Sequence, residues 1–306
     1  MEFSHRPVLL EETIAALDIK PDGIYVDGTA GGAGHSSEIA KRLKNGFLYA
    51  LDRDPDAVKT ASERLKGLPA KVIQSNFRDM DTVLAAEGVT KVNGILLDLG
   101  VSSYQLDSAE RGFSYRKDAP LDMRMSKTGL SAADIVNTYS AEQLADIFKK
   151  YGEEKFAYRI ANRIAAERAE KPILSTVQLA DIIASSVPAA ARRDGHPARK
   201  CFQAIRIAVN GELESLEEAL DKAFGLLCKD GVLAIITFHS LEDRMVKQKF
   251  KEYCKGCICP PDFPVCVCGR TPAGRPAARK PVEPDIKELE ENPRSRSAKL
   301  RAVIKN

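Results

Sequence analysis

No stretch of this 306-residue sequence is long and apolar enough to cross a bilayer. The longest apolar run, about Val232 to Phe238, has the length of a strand, whereas a membrane helix needs ~20 residues. The N-terminal Met1-Glu-Phe-Ser-His-Arg-Pro7 lacks the basic, apolar and small-residue succession of a secretory signal, so a cytoplasmic protein is expected. In that compartment the seven cysteines read as thiols or metal ligands rather than disulfides. Extremes of composition are missing as well. With 44% hydrophobic and 29% charged residues the chain is neither disordered, collagenous nor a coiled coil. Its length suits two domains, or one large domain with an insertion, and suffices to bury a core.

The net charge of +3 hides an uneven distribution. From Arg244 to the end there are 15 Lys/Arg against seven Asp/Glu, so the C-terminal fifth is the basic part. Arg192, Arg193, Arg199, Lys200 and Arg206 form a second basic cluster. Such stretches are either solvated ends or a footprint for nucleic acid.

The pattern changes character twice along the chain. Up to about Gly100, short apolar runs (Ile24–Asp27, Phe47–Asp52, Lys71–Ser75 and Val92–Asp98) alternate with helical stretches. That alternation predicts a parallel sheet covered on both faces. From Leu106 to Arg199 the strand signals vanish, and Ser140/Gln143 and Ser175/Gln178 carry capping-box spacing. This region is expected to be a helical insertion. One long amphipathic helix follows from Phe202 to Leu220, then a strand at Val232–Phe238 and a final alternating strand at Lys299–Ile304, while Cys254–Pro284 reads as irregular. The expected domains are residues 1–105 with 200–306, and an inserted 106–199.

The chemistry starts at Asp27-Gly-Thr-Ala-Gly-Gly-Ala-Gly-His35, between a strand and a helix. Its glycines let the backbone turn tightly against a ligand, and a helix N-terminus offers unpaired N–H groups. No Gly-Lys-Ser/Thr follows and the G-x-G-x-x-G spacing is absent, which excludes a P-loop and a strict dinucleotide fingerprint. Asp52, ending the second strand, is placed to accept both hydroxyl hydrogens of a ribose. NAD and S-adenosylmethionine both fit that pair of features. Asp98, ending the fourth strand, adds an acid beside the crevice where open α/β sheets bind substrates. Aminomethyltransferases use an acidic or amide group at that point, and no dehydrogenase set of Ser-Tyr-Lys, His or Cys is assembled.

Long motifs then accumulate in one order: His5–Leu10, Asp27–His35, Leu97–Ser103, Arg111–Tyr115, Pro120–Met125, Phe202–Asn210, Phe238–Arg244 and Asn292–Arg301. Over nearly its whole length the chain resembles the RsmH/MraW family, bacterial methyltransferases acting on N4 of a cytidine in the decoding region of 16S rRNA. The resemblance implies a class I S-adenosylmethionine-dependent fold, Rossmann-like and mostly parallel with an antiparallel final strand, carrying an inserted helical domain for substrate recognition. It implies 16S rRNA of the small ribosomal subunit as partner and S-adenosylmethionine as cofactor. The cofactor contacts it carries over are Ala33, Gly34 and His35 in the turn, Asp52 on the ribose, Phe77 near the adenine, Asp98 and Gln105. Taken alone, Phe77 reads first as a core aromatic, and His35 also fits a helix cap.

Asp98 is the catalytic candidate, with a second role open to it in holding the amino acid moiety of the cofactor. The turn Asp98-Leu-Gly-Val101 departs from the Ser/Asn/Asp-Pro-Pro-Tyr/Phe of many aminomethyltransferases and supplies no stacking aromatic. Tyr104, Phe113 and Tyr115 are the substitutes available, and Asp122 and His239 the further proton acceptors. Competing readings are an aminomethyltransferase acting on DNA, another RNA or a small molecule, and a noncatalytic ribosome-assembly factor that retains the pocket. Cys254, Cys257, Cys259, Cys266 and Cys268 lie outside the family pattern. They read as free thiols or as a zinc site drawn from Cys254, Cys257, Cys266 and Cys268.

Overall fold

The computed structural model describes residues 7–189, 195–257, 259–260, 263–265 and 267–306. Two compact units divide the chain: residues 1–100 with 213–306, and 101–212.

The first unit is built on a seven-stranded sheet of order β3-β2-β1-β4-β5-β7-β6. Strands β1 (Ile24–Asp27), β2 (Phe47–Asp52), β3 (Ala70–Gln74), β4 (Val92–Asp98) and β5 (Leu227–Thr237) run parallel, and β7 (Lys299–Lys305) lies antiparallel to both its neighbours, β5 and the edge strand β6 (Gly274–Pro276). That is the mostly parallel order with an antiparallel end implied by the resemblance. Successive residues of a strand face opposite sides. Val26, Leu51, Ile95, Leu97, Leu233 and Ile235 accordingly fill one core. Tyr25, Leu48, Ala50, Leu96, Ala234 and Ile236 fill the other. Helices close both faces, among them α1 (Leu10–Leu17), α2 (Gly34–Ala40), α3 (Pro55–Arg64), α4 (Met80–Ala86), α11 (Glu212–Leu226) and α12 (Ser240–Tyr253).

The second unit holds α5 (Ser103–Asp107), α6 (Ala132–Thr138), α7 (Ala141–Gly152), α8 (Ala157–Glu170), α9 (Thr176–Ser186) and α10 (Ala198–Asn210), with no named strand among its described residues. Ser140 and Gln143 form a full capping box. Ser175 caps α9 through the Gln178 N–H, but the Gln178 side chain accepts from Leu174 instead, so that box is half made.

Three expectations change. The helix read from Phe202 to Leu220 is two helices, because Gly211 at φ 58° is a left-handed cap that ends α10. The helical unit therefore extends from 106–199 to 101–212, since α10 packs on α7 and belongs to it. The irregular stretch contains β6, whose Gly and Pro hide it and whose place at the sheet edge tolerates Pro276.

Candidate active site at the carboxyl ends of the parallel strands

Strand order reverses between β1 and β4, and open α/β sheets have their ligand crevice at such a point. Three aspartates end the strands that meet there. Asp27 pairs with Leu96 of β4 and Ala50 of β2, so Asp98 and Asp52 each reach two residues farther.

Asp27 is buried and organises the turn that follows. Its carboxylate accepts the Thr29 N–H at 3.1 Å and the Ser36 hydroxyl at 2.6 Å, and burial raises its pKa. The Thr29 hydroxyl in turn accepts the Asp98 N–H at 2.6 Å, tying the turn to β4. Gly31 (φ 50°) and Ala33 (φ 59°) both lie in the left-handed region. For a non-glycine residue this conformation is uncommon and costs energy. A Cβ on Gly28 would overlap Leu97, and one on Gly34 would overlap Pro7. The turn thus presents bare backbone.

Asp52 is half-buried and latches the turn. Oδ2 accepts the Gly31 N–H and Oδ1 the Asp54 N–H, both at 2.8 Å. Each carboxylate oxygen has two lone pairs, so one remains on each for a diol. Burial pushes the Asp52 pKa up to about 6.

Asp98 is the exception among the three in its satisfaction. The side chain is 25% exposed, yet Oδ1 is itself buried and has no hydrogen-bond partner among the described residues. Burial, then the charges of Asp27 and Glu242, hold its carboxyl well above the usual range. A buried acceptor without a donor costs about 1–3 kcal/mol, so this atom calls for a ligand N–H or a cation. A cationic, amino-bearing cofactor with a ribose fits the acceptors of Asp52 and Asp98 and the bare backbone of the turn.

His35 is buried, with Nε2 3.0 Å from the Val8 carbonyl and Nδ1 3.6 Å from Asp98 Oδ2. Its ring therefore serves as an anchor and a neighbour of Asp98. Phe77 opens a short 3-10 turn, packs partly buried on the core, and lies close to Gly28. Gln105 belongs to the second unit, buried, where it completes a capping box with Ser102.

Among the substitutes, Tyr115 is stacked on His196 at 4.6 Å and edge-on to Phe202, and Phe113 is buried beneath Arg111. Tyr104 is exposed. Asp122 is partly desolvated, but hydrogen bonds from Arg124 outweigh this and hold its pKa down, which makes it a poor base. The Nδ1 of His239 accepts the Glu242 N–H at 3.4 Å.

Glu242 is the residue that sequence reasoning left unnamed. It is buried, accepts the Phe238 N–H at 2.9 Å, and adds negative charge at Asp98. His239-x-x-Glu242 has the spacing of a capping box, and the structure shows one. Histidine is an unusual cap, which hid the signal.

Cys254 packs against the sheet core, apart from Cys257, Cys259 and Cys268, which cluster; Cys266 lies outside the described residues.

Comparison with known proteins gives the family of the chain. Ribosomal RNA small subunit methyltransferase H of Clostridium botulinum, strain Loch Maree, is 54% identical over the full length of both chains. The protein of the same name from Lachnospira eligens is 54% identical, covering 98% of this chain and 97% of its own. A crystal structure of an rRNA methylase from Streptococcus thermophilus aligns over 99% of each chain with TM-score 0.43 and 12% identity. The model of the MraW methylase family matches residues 2–306, and the chain belongs to that family of methyltransferases.

Proposed function

We propose that this enzyme transfers the methyl group of S-adenosylmethionine to the exocyclic N4 of a cytidine in the decoding region of 16S rRNA. The observation that carries the reading is the unsatisfied Oδ1 of Asp98 at the strand-order switch, beside a bare-backbone turn and a diol-ready Asp52. The ribosomal substrate rests on the names of relatives 54% identical over full length, and N4 of cytidine on the motif resemblance.

The cofactor supplies a methyl already activated on a positive sulfur. The protein's work is alignment and charge placement. The N4 lone pair is delocalised into the ring, and an acceptor for an N4–H favours the pyramidal, nucleophilic form. Asp98 would be that acceptor: its carboxylate would hold N4 toward the activated methyl group, stabilise the positive charge that nitrogen gains on methyl transfer, and take up the proton that N4 gives up. Ala33, Gly34 and His35 form the wall of the cofactor pocket, Asp52 binds the ribose and Phe77 borders the adenine; Gln105 is a further cofactor residue by the motif resemblance. That unit, residues 101–212, serves substrate recognition. No described helix is long and apolar enough to cross a membrane, and the protein works in the cytoplasm on the small subunit.

The test is methyl incorporation into small subunits, naked 16S rRNA and DNA, with the product base mapped by mass spectrometry. Methyl on N4 of one decoding-region cytidine is expected. Modification of DNA alone, or of another atom, overturns the reading, and bound cofactor without turnover on any substrate favours the assembly-factor alternative.

A further inference from the structure

Between Tyr253, which ends α12, and Gly274, which opens β6, no described residue belongs to a helix or strand. Loops of that length are uncommon in a compact unit. Cys257, Cys259 and Cys268 supply the material for a fastening, with their sulfurs all within 4.8 Å of one another.

The spacing identifies the chemistry. The sulfurs of Cys257 and Cys268 lie 3.8 Å apart. A disulfide holds its sulfurs at about 2.05 Å. Two thiolates on one tetrahedral zinc, each about 2.3 Å from the metal, stand about 3.8 Å apart. The Cys259 N–H donates to the Cys257 sulfur at 3.3 Å. Such a bond orients the sulfur, as outer-shell donors do around metal ligands. Cys254 stays outside: it packs on the sheet core, where burial pushes its thiol pKa up.

We propose that Cys257, Cys259 and Cys268 hold a structural zinc ion that fastens the loop between α12 and β6. Three soft sulfur donors select zinc over magnesium or calcium. A closed structural site takes four ligands, and Cys266, outside the described residues, is the sequence's own candidate to be tested for the fourth. The ion takes no part in methyl transfer.

Metal content of the full chain, purified with zinc supplied, tests this. About one zinc per chain is expected, and cobalt in its place should give thiolate charge-transfer and tetrahedral bands. Cys257→Ser, Cys259→Ser and Cys268→Ser should each lose the metal to a chelator that leaves the parent loaded, while Cys254→Ser retains it. Circular dichroism and cofactor binding verify that each variant is folded; a triple variant that folds and still binds zinc overturns the assignment. So do a parent protein that takes up no zinc, an intact mass two hydrogens short showing a disulfide, and equal loss of metal from Cys254→Ser. Loss of metal from Cys266→Ser supports a four-thiolate site, and retention there supports a site whose fourth ligand is not this residue.

Discussion

Oδ2 of Asp98 lies 3.6 Å from Nδ1 of His35, and the other ring nitrogen of that histidine is committed to the Val8 carbonyl. A carbonyl only accepts, so the proton is assigned to Nε2 and Nδ1 presents a lone pair. Burial lowers the His35 pKa to about 4, which leaves the ring neutral at neutral pH. The contact is therefore no ion pair. It is a neutral acceptor facing a carboxyl whose acid form is favoured, and a cationic ligand reverses that preference by drawing out the carboxylate.

The histidine makes the first prediction. Unfolded, it titrates near 6.5; folded, at about 4. Between these values the unfolded state binds more protons, so the stability His35 contributes is present above pH 6.5 and is lost as pH falls toward 4. At about pH 5.5 the loss is roughly 1.4 kcal/mol. Urea unfolding of the parent and His35→Gln, near neutral pH and near pH 5.5, should show the difference between them shrinking by that amount. A pH-independent difference would show that the folded histidine titrates normally.

Asp98→Asn separates chemistry from binding. The shape and a hydrogen-bond acceptor remain, so much of the cofactor affinity should be kept, while single-turnover methylation falls by a clearly larger factor, about 100-fold. Parent turnover should also rise with pH as the raised carboxyl ionises, and the variant should be flat over that range. Equal losses of affinity and rate would move Asp98 from the methyl acceptor's side to the cofactor's amino group.

Asp52→Ala should raise the cofactor dissociation constant by about 30- to 1000-fold, from roughly 2–4 kcal/mol of lost charged hydrogen bonds. It also unlatches Gly31, so Asp52→Asn is the cleaner control. The folded carboxyl titrates at about 6 against 3.8, so the ligand-free folded state binds more protons and its stability, relative to Asp52→Asn, should decline as pH rises through 6. Cofactor affinity should strengthen over the same window, with proton release detectable by calorimetry in two buffers. Unchanged affinity in a folded Asp52→Ala would remove this residue from the site.

The sheet was legible because its strands are apolar on both faces: Ile24–Asp27, Phe47–Asp52 and Val92–Asp98 stand where the sequence places them. All three strand-terminal acids followed, since each marks the carboxyl end of a parallel strand. The helix break at Gly211 was missed because amphipathic spacing runs on through it. The tie from His35 to Val8 and the charge of Glu242 on Asp98 were hidden for another reason. They depend on contacts across 27 and 144 residues of sequence, which periodicity does not register.

The last prediction concerns the basic C-terminal segment. Arg294 and Arg296 are exposed on a short 3-10 turn just before β7, and Arg192 and Arg193 lie outside the described residues. Each arginine that neutralises an RNA phosphate releases counterions, which gives the logarithm of affinity a slope against the logarithm of salt of about −0.7 per single-strand contact and −0.9 per duplex contact. Replacing all four with Gln should flatten the slope for small subunits by up to about three units, and Arg294→Gln with Arg296→Gln alone by up to about half as much. Cofactor affinity should be untouched, because none of the four belongs to the turn or to the strand-terminal acids. A slope identical in the fourfold variant and the parent would make these arginines a solvated surface and leave RNA recognition to other faces of the helical unit.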